Sequence, residues 1–195
     1  MRYMRICGLV TLAAAALMVF ISAALASEAT SPSGTRFDGT IHLTSDGAVT
    51  LHIPVTVTCN HATKHGHIVG EDASGIDVEI TTEKFTDCGS NHITVVHAGS
   101  LEIRTQSGSS NGNGTLVSSG AEISIQVTSL GLTCVYTTSS THLGTVTGSK
   151  NTGGKAKAHV DSVAIPRTGG SFFCGSSGEI TGSYSVESPT YLDID

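Results

Sequence analysis

Apolar and polar residues alternate along most of the chain after residue 26. Val49, Leu51, Ile53, Val55, Val57 and Cys59 take every second position, with Thr50, His52, Thr56 and Thr58 between them. A period of two is the side-chain repeat of a strand with one wet face. Pro54 lies inside that run and has no amide hydrogen to donate, which predicts an edge strand or a bulge there. Ile123, Ile125 and Val127 also alternate, and Leu130, Leu132 and Cys134 continue on the opposite parity. A one-residue shift of this kind predicts a bulge near Ser129. Ile76, Val78 and Ile80 alternate with outward Asp77 and Glu79. Ile93, Val95, Leu101, Ile103, Val160, Val163, Ile165, Tyr184 and Val186 mark further short strands. Turn formers separate them: Ser45-Asp46-Gly47, Ala98-Gly99-Ser100, and residues 107–114, 151–154 and 175–178. No window after residue 26 carries the 3.6-residue period of an amphipathic helix. The expected fold is an all-β antiparallel sandwich or barrel of about ten to twelve strands over residues 37–195. Residues 27–36 are expected to form a flexible N-terminal arm.

The first 26 residues are different. Arg2 and Arg5 precede an uncharged stretch that ends in Ala24-Leu25-Ala26, and Ser27-Glu28 then opens a polar segment. This is the pattern of a secretory signal peptide with an A-x-A cleavage site. Retention as an anchor is the competing reading, since the uncharged stretch nearly reaches a bilayer's length. No basic stop-transfer cluster follows it, and no later segment is apolar enough to span a membrane. Cleavage leaves Cys59, Cys88, Cys134 and Cys174. An even count in an exported chain predicts two disulfides, and none of the four forms a C-x-x-C metal or redox motif.

The chain also reads as two similar halves, about residues 37–110 and 111–195. Cys59 lies twenty residues after Gly39 in Gly39-Thr40-Ile41, and Cys134 lies twenty after Gly114 in Gly114-Thr115-Leu116. Phe85 with Cys88-Gly89-Ser90 is matched by Phe173 with Cys174-Gly175-Ser176. The first cysteines are 75 residues apart and the second 86, which puts about eleven extra residues in the second half, expected around residues 150–157. Equivalent pairing in such halves gives Cys59–Cys88 and Cys134–Cys174. The crossed scheme, Cys59–Cys134 with Cys88–Cys174, is the alternative.

Composition narrows the partners. The chain has 195 residues, ten basic against sixteen acidic, 13% charged residues and 23 glycines. Without Arg2 and Arg5 the balance is eight basic against sixteen acidic, a net of −8. An acidic chain without basic clusters argues against nucleic acid. The composition is too poor in helix formers for a bundle and rich enough in Val and Ile to escape disorder.

Candidate chemistry is sparse. His61, His65 and His67 would share one face of a strand, and histidines at i and i+2 suit Zn²⁺ or Cu²⁺. The competing reading is a polar strand face, and the matching stretch of the second half has no histidine before His142. Gly108-Ser109-Ser110-Asn111-Gly112 matches G-x-S-x-G, but no helix pattern follows it as a nucleophile elbow requires. Glu71-Asp72, Asp77 and Glu79 offer carboxylates for Ca²⁺ or simply a solvated face. Asn113-Gly114-Thr115 is an N-glycosylation sequon. Lys150, Lys155 and Lys157 read as a solvated hairpin tip or an anion site.

Val57-Thr58-Cys59 with Phe85-Thr86-Asp87-Cys88-Gly89 is one set of marks. Gly131-Leu132-Thr133-Cys134-Val135-Tyr136 with Cys174 is a second. The closing Gly182-Ser183-Tyr184-Ser185-Val186-Glu187-Ser188-Pro189-Thr190-Tyr191-Leu192 is a third. Together they resemble a group of uncharacterised secreted bacterial β-rich proteins with four cysteines. The likeness covers most of the mature chain and implies export and a β-rich body, with no catalytic residue to carry over. There is a fainter similarity to small secreted bacterial proteins labelled activators of alkane oxidation.

The functional expectation is a secreted or envelope-associated, non-enzymatic β module with a structural, adhesive or binding role. It needs no cofactor. Its expected partners are cell-surface or matrix components, or a second copy of itself. A histidine metal binder and a secreted hydrolase are the alternatives. The hydrolase needs distant His, Asp or Ser residues to meet in a pocket.

Overall fold

Alternation with one apolar face leaves a sheet two options: cover that face with another layer, or curl until it lines an interior. This chain curls. The computed structural model describes residues 27–31, 34–72, 75–105 and 112–194. Its first eight strands are β1 (Ala29–Thr30), β2 (Thr40–Ser45), β3 (Val49–His52), β4 (Thr56–Cys59), β5 (His61–Glu71), β6 (Ile76–Thr86), β7 (His92–His97) and β8 (Ser100–Thr105). The rest are β9 (Asn113–Ser119), β10 (Glu122–Val127), β11 (Leu132–Thr137), β12 (Thr141–Thr147), β13 (Lys157–Gly170), β14 (Ser177–Ser188) and β15 (Asp193–Ile194). One short helix, α1 (Ser149–Thr152), precedes β13.

Strands β2, β5, β6, β8, β9, β12, β13 and β14 pair antiparallel in that order, and β14 returns to β2 to close an eight-stranded barrel. Closure removes every free edge from this ring. Ile41, Leu43, Val78, Leu101, Ile103, Leu116, Val146, Val160 and Val186 are buried inside it. His42, Asp77 and Glu79 alternate with them. Apolar residues face in and polar residues out, the reverse of an outer-membrane barrel. No helix among the described residues is long and apolar enough to cross a membrane.

Strands β13 and β14 run past the barrel. Their far ends pair with each other, at Ile165 and Gly178, and carry β3 and β4 on one side and β11, β10 and β7 on the other. These outer strands supply Val49, Leu51, Val57, Ile125, Val127 and Tyr136 to the same apolar core. Disulfides Cys59–Cys88 and Cys134–Cys174 bind the outer strands down, the equivalent pairing rather than the crossed one.

The two halves pair alike. Strands β2, β5, β6 and β8 follow one another around the ring as β9, β12, β13 and β14 do, and the hairpin β3–β4 matches β10–β11. Gly66 faces Ile80 beside a bulge in the β5–β6 ladder, and Gly144 faces Val160 beside a bulge in the β12–β9 ladder. A Cβ on Gly66 would sit 2.6 Å from the Glu79 carbonyl oxygen, and one on Gly144 would sit 1.9 Å from that of His159. Only glycine lets the two backbones approach that closely. From this register, the second half gains three residues between Cys134 and Gly144 and two between Gly144 and Val160. Six more lie between Val160 and Cys174. Most of the surplus is therefore at the end of β13, not around residues 150–157.

Three local expectations are corrected. Residues 49–59 are not one strand: β3 and β4 form a hairpin, Val49 opposite Cys59, with Pro54 in the turn closed by Ile53 N–H to the Val55 carbonyl. The turn preserves the parity, so alternation alone cannot separate one strand from two. The parity change near Ser129 is a 3-10 turn over Thr128–Leu130 that ends on left-handed Gly131, not a bulge. The expected loose arm is docked. Ala29 and Thr30 are buried and pair with Ile194 and Asp193, and Arg36 forms an ion pair with buried Glu71.

Candidate functional site

Eight strands enclose an interior that side chains can fill or that can hold one small ligand. Here it is not quite filled. A cavity of about 80 Å³ lies inside the barrel, walled mainly by Leu43, Val78, Leu101, Ile103, Leu116 and Val160. Leu192, from the C-terminal segment outside the ring, also lines it. That segment is tied to α1, where Ser149 N–H donates to the Leu192 carbonyl and Leu192 N–H to Ser149 Oγ, at 2.9 Å each. Leaving such a volume empty costs about 2 kcal/mol relative to a filled core.

Six polar side chains line this cavity: Lys64, Glu83, Ser118, Tyr136, Thr138 and Tyr184. Lys64 and Glu83 form an ion pair between β5 and β6. Two buried opposite charges in contact neutralise each other, whereas either alone is costly. Ser118 Oγ and Thr138 Oγ1 share a hydrogen bond of 3.0 Å, and Ala121 N–H donates to Thr138 Oγ1. Tyr136 O–H donates to the Cys174 carbonyl at 2.9 Å. Tyr184 differs. It is 2% exposed, and its hydroxyl has no hydrogen-bond partner among the described residues. Lys64 Nζ lies 5.7 Å from its ring centroid. Burial, and after it the negative charge of Glu83, pushes the phenol far above its usual range. Tyr184 therefore stays a neutral O–H donor at any working pH.

The predicted site residues fall elsewhere. His61, His65 and His67 do point outward on one face of β5, but His61 lies near Asp87, 3.8 Å away, and His67 near Glu79, at 3.5 Å. His65 stacks on His42 across the strand pair, with ring centroids 4.0 Å apart. Among the described residues no group of three His, Cys, Asp or Glu side chains is placed to hold a metal ion. Glu71 is engaged by Arg36 and by Ala29 N–H, separate from Glu79. Lys155 pairs with Glu187 and Lys157 with Asp46. The first 26 residues, and all of the G-x-S-x-G match except Gly112, lie outside the described residues.

One constellation was not foreseen. On the outer face of β13 and β14, Ser183 Oγ lies 2.7 Å from His159 Nδ1, and His159 Nε2 lies 2.7 Å from Asp161. They line a shallow groove with Asp46. The Asp46 carboxyl is held below the usual carboxylate range, first by the hydrogen bond from Ser185 and then by Lys157. His159 and Asp161 are more than half exposed. A nucleophile here would develop its oxyanion in water beside an ionised carboxylate, without the dry, donor-rich site that acyl transfer needs.

Lys64 could have been found from sequence, because it sits on the inward parity set by Ala62, Gly66 and Ile68. Glu83 could not, because the bulge between Ile80 and Thr82 reverses the parity of β6 before it. No family model matches the chain, and neither curated proteins nor solved structures gave a match.

Proposed function

We propose that the chain is an exported, non-enzymatic binding module whose barrel interior holds a small apolar ligand. The observation that carries this reading is the apolar barrel cavity lined by Tyr184, whose buried hydroxyl has no partner among the described residues. A core built only for stability fills such a space and pairs such a group. Two disulfides and an N-terminal segment with the marks of a signal peptide support an extracellular or envelope location. The matching ladders of the two halves support origin by tandem duplication. Surface contacts with matrix, cells or a second copy fall on the exposed tip at Phe172 and Phe173.

The test has two arms. Culture fractionation with N-terminal sequencing is expected to find the protein outside the cytoplasm, beginning at Ser27. Thermal unfolding against a panel of three- and four-carbon hydrocarbons and ketones is expected to show a midpoint that rises with ligand concentration. A cytoplasmic protein, or a midpoint indifferent to every compound, overturns the reading.

The hydrolase reading has one observation in its favour, the Ser183–His159–Asp161 contact. Hydrolysis of p-nitrophenyl acetate decides it. The binding reading predicts the same slow rate for the native protein and for Ser183→Ala, and a hundredfold drop in the variant would establish an esterase.

A further inference from the structure

The interior polar groups specify what kind of molecule fits, on the reading that the barrel is the binding site. Charge comes first. Lys64 and Glu83 are paired with each other inside the wall, so neither is available as a counter-ion. A carboxylate or an ammonium ion entering the cavity would be desolvated without compensation, which excludes charged ligands. Hydrogen bonding comes second. The Ser118 and Thr138 hydroxyls are joined to each other, and Tyr136 is joined to the Cys174 carbonyl. Tyr184 has the one unpartnered hydroxyl among the polar side chains that line the cavity. It is a donor and asks for an acceptor. Size comes third. A dry cavity of roughly 150 Å³ takes benzene. The space of about 80 Å³ here suits a molecule of a few heavy atoms.

The register of the two halves gives an independent reason to regard Tyr184 as more than packing. Val78 pairs with Leu101 in the first half, and Ala158 with Tyr184 at the corresponding place in the second. The barrel is satisfied by leucine at one of these positions. At the other it carries a larger ring beside a smaller neighbour, which keeps the volume and adds a hydroxyl.

We infer that the barrel binds a small, uncharged, largely apolar molecule with a single hydrogen-bond acceptor, such as a short ketone, aldehyde or ester, and that Tyr184 O–H donates to that acceptor. Tyr184 sets specificity and takes no part in any bond-making step.

A shape-matched pair of probes tests this. Acetone and isobutene, of four heavy atoms each, differ in little but the acceptor. Each is titrated into the disulfide-bonded protein, with methyl NMR signals of Val78, Leu101, Ile103 and Leu116 as the readout. Acetate serves as the charged comparator. The ketone is expected to bind about five- to tenfold more tightly than the hydrocarbon, as one neutral hydrogen bond allows. Acetate is expected to leave the signals unmoved. In Tyr184→Phe the ketone and the hydrocarbon should bind within about twofold of each other, with the hydrocarbon affinity kept. Equal binding of both by the native protein overturns the inference and leaves the binding reading intact, as does tighter binding of acetate. If neither shifts any of the four methyl signals, the binding reading fails with it.

Discussion

Phe85 and the Phe172–Phe173 pair occupy matching places in the sequence, each just before the second cysteine of its half, and they do opposite things. Phe85 is buried and lines the barrel cavity. Phe172 is 84% exposed and Phe173 73%, in a tip closed by Ser171 and the Cys134–Cys174 bridge. The true counterpart of Phe85 is Ile165, five residues after Val160 as Phe85 is five after Ile80. Ile165 too is buried at the cavity. The six surplus residues between Val160 and Cys174 push the second-half aromatics out of the core. The ladder thus keeps the halves equivalent where packing demands it, and the departures mark what the fold does not need.

The sharpest way to break this comparison is to truncate both aromatics. Phe85→Ala should lose about 3–5 kcal/mol of stability in denaturant unfolding. The double change Phe172→Ser, Phe173→Ser should stay within about 0.5 kcal/mol per site. Comparable losses would mean that the tip is packed after all. The interior ion pair belongs to the first half alone. Lys64→Met leaves Glu83 buried without a partner and should cost about 3–5 kcal/mol, while Lys64→Met with Glu83→Leu should recover most of that loss. Tyr184, the second half's addition, should behave in the opposite way. Tyr184→Phe removes an unpaired buried hydroxyl, so stability should hold or rise by about 1 kcal/mol. The smallest effect is at the seam between the halves, where Asp46 accepts from Ser185 and Lys157. Its pKa is lowered in the folded state, so its contribution is complete above the unfolded carboxylate value and is lost as pH falls below about 4. Asp46→Asn should flatten that part of the stability-against-pH curve, measured by urea unfolding.

The all-β class, the cysteine pairing and most of the core were legible because alternation and cysteine spacing are local signals. Val49, Ile76, Val78, Ile123 and Ile125 all point inward as their parity requires. What was lost depended on parity changing without a visible mark. The bulge before Glu83 hid an inward carboxylate, and the turn at Pro54 hid a hairpin inside an unbroken alternation. The histidine run was legible as a face of β5 but promised more than it holds, because the spacing from His61 to His65 separates them along the strand. Closure of the barrel is not written in any local pattern. It follows from β14 pairing with β2, which bridges nearly the whole chain.

The cavity inside the barrel is the point on which the functional account rests, and xenon locates apolar voids directly. A crystal of the disulfide-bonded protein pressurised with xenon should show one bound atom inside the ring, against Val78, Leu101, Leu116 and Tyr184. A ring interior filled by its own side chains, with xenon absent or bound only outside the eight strands, would contradict it.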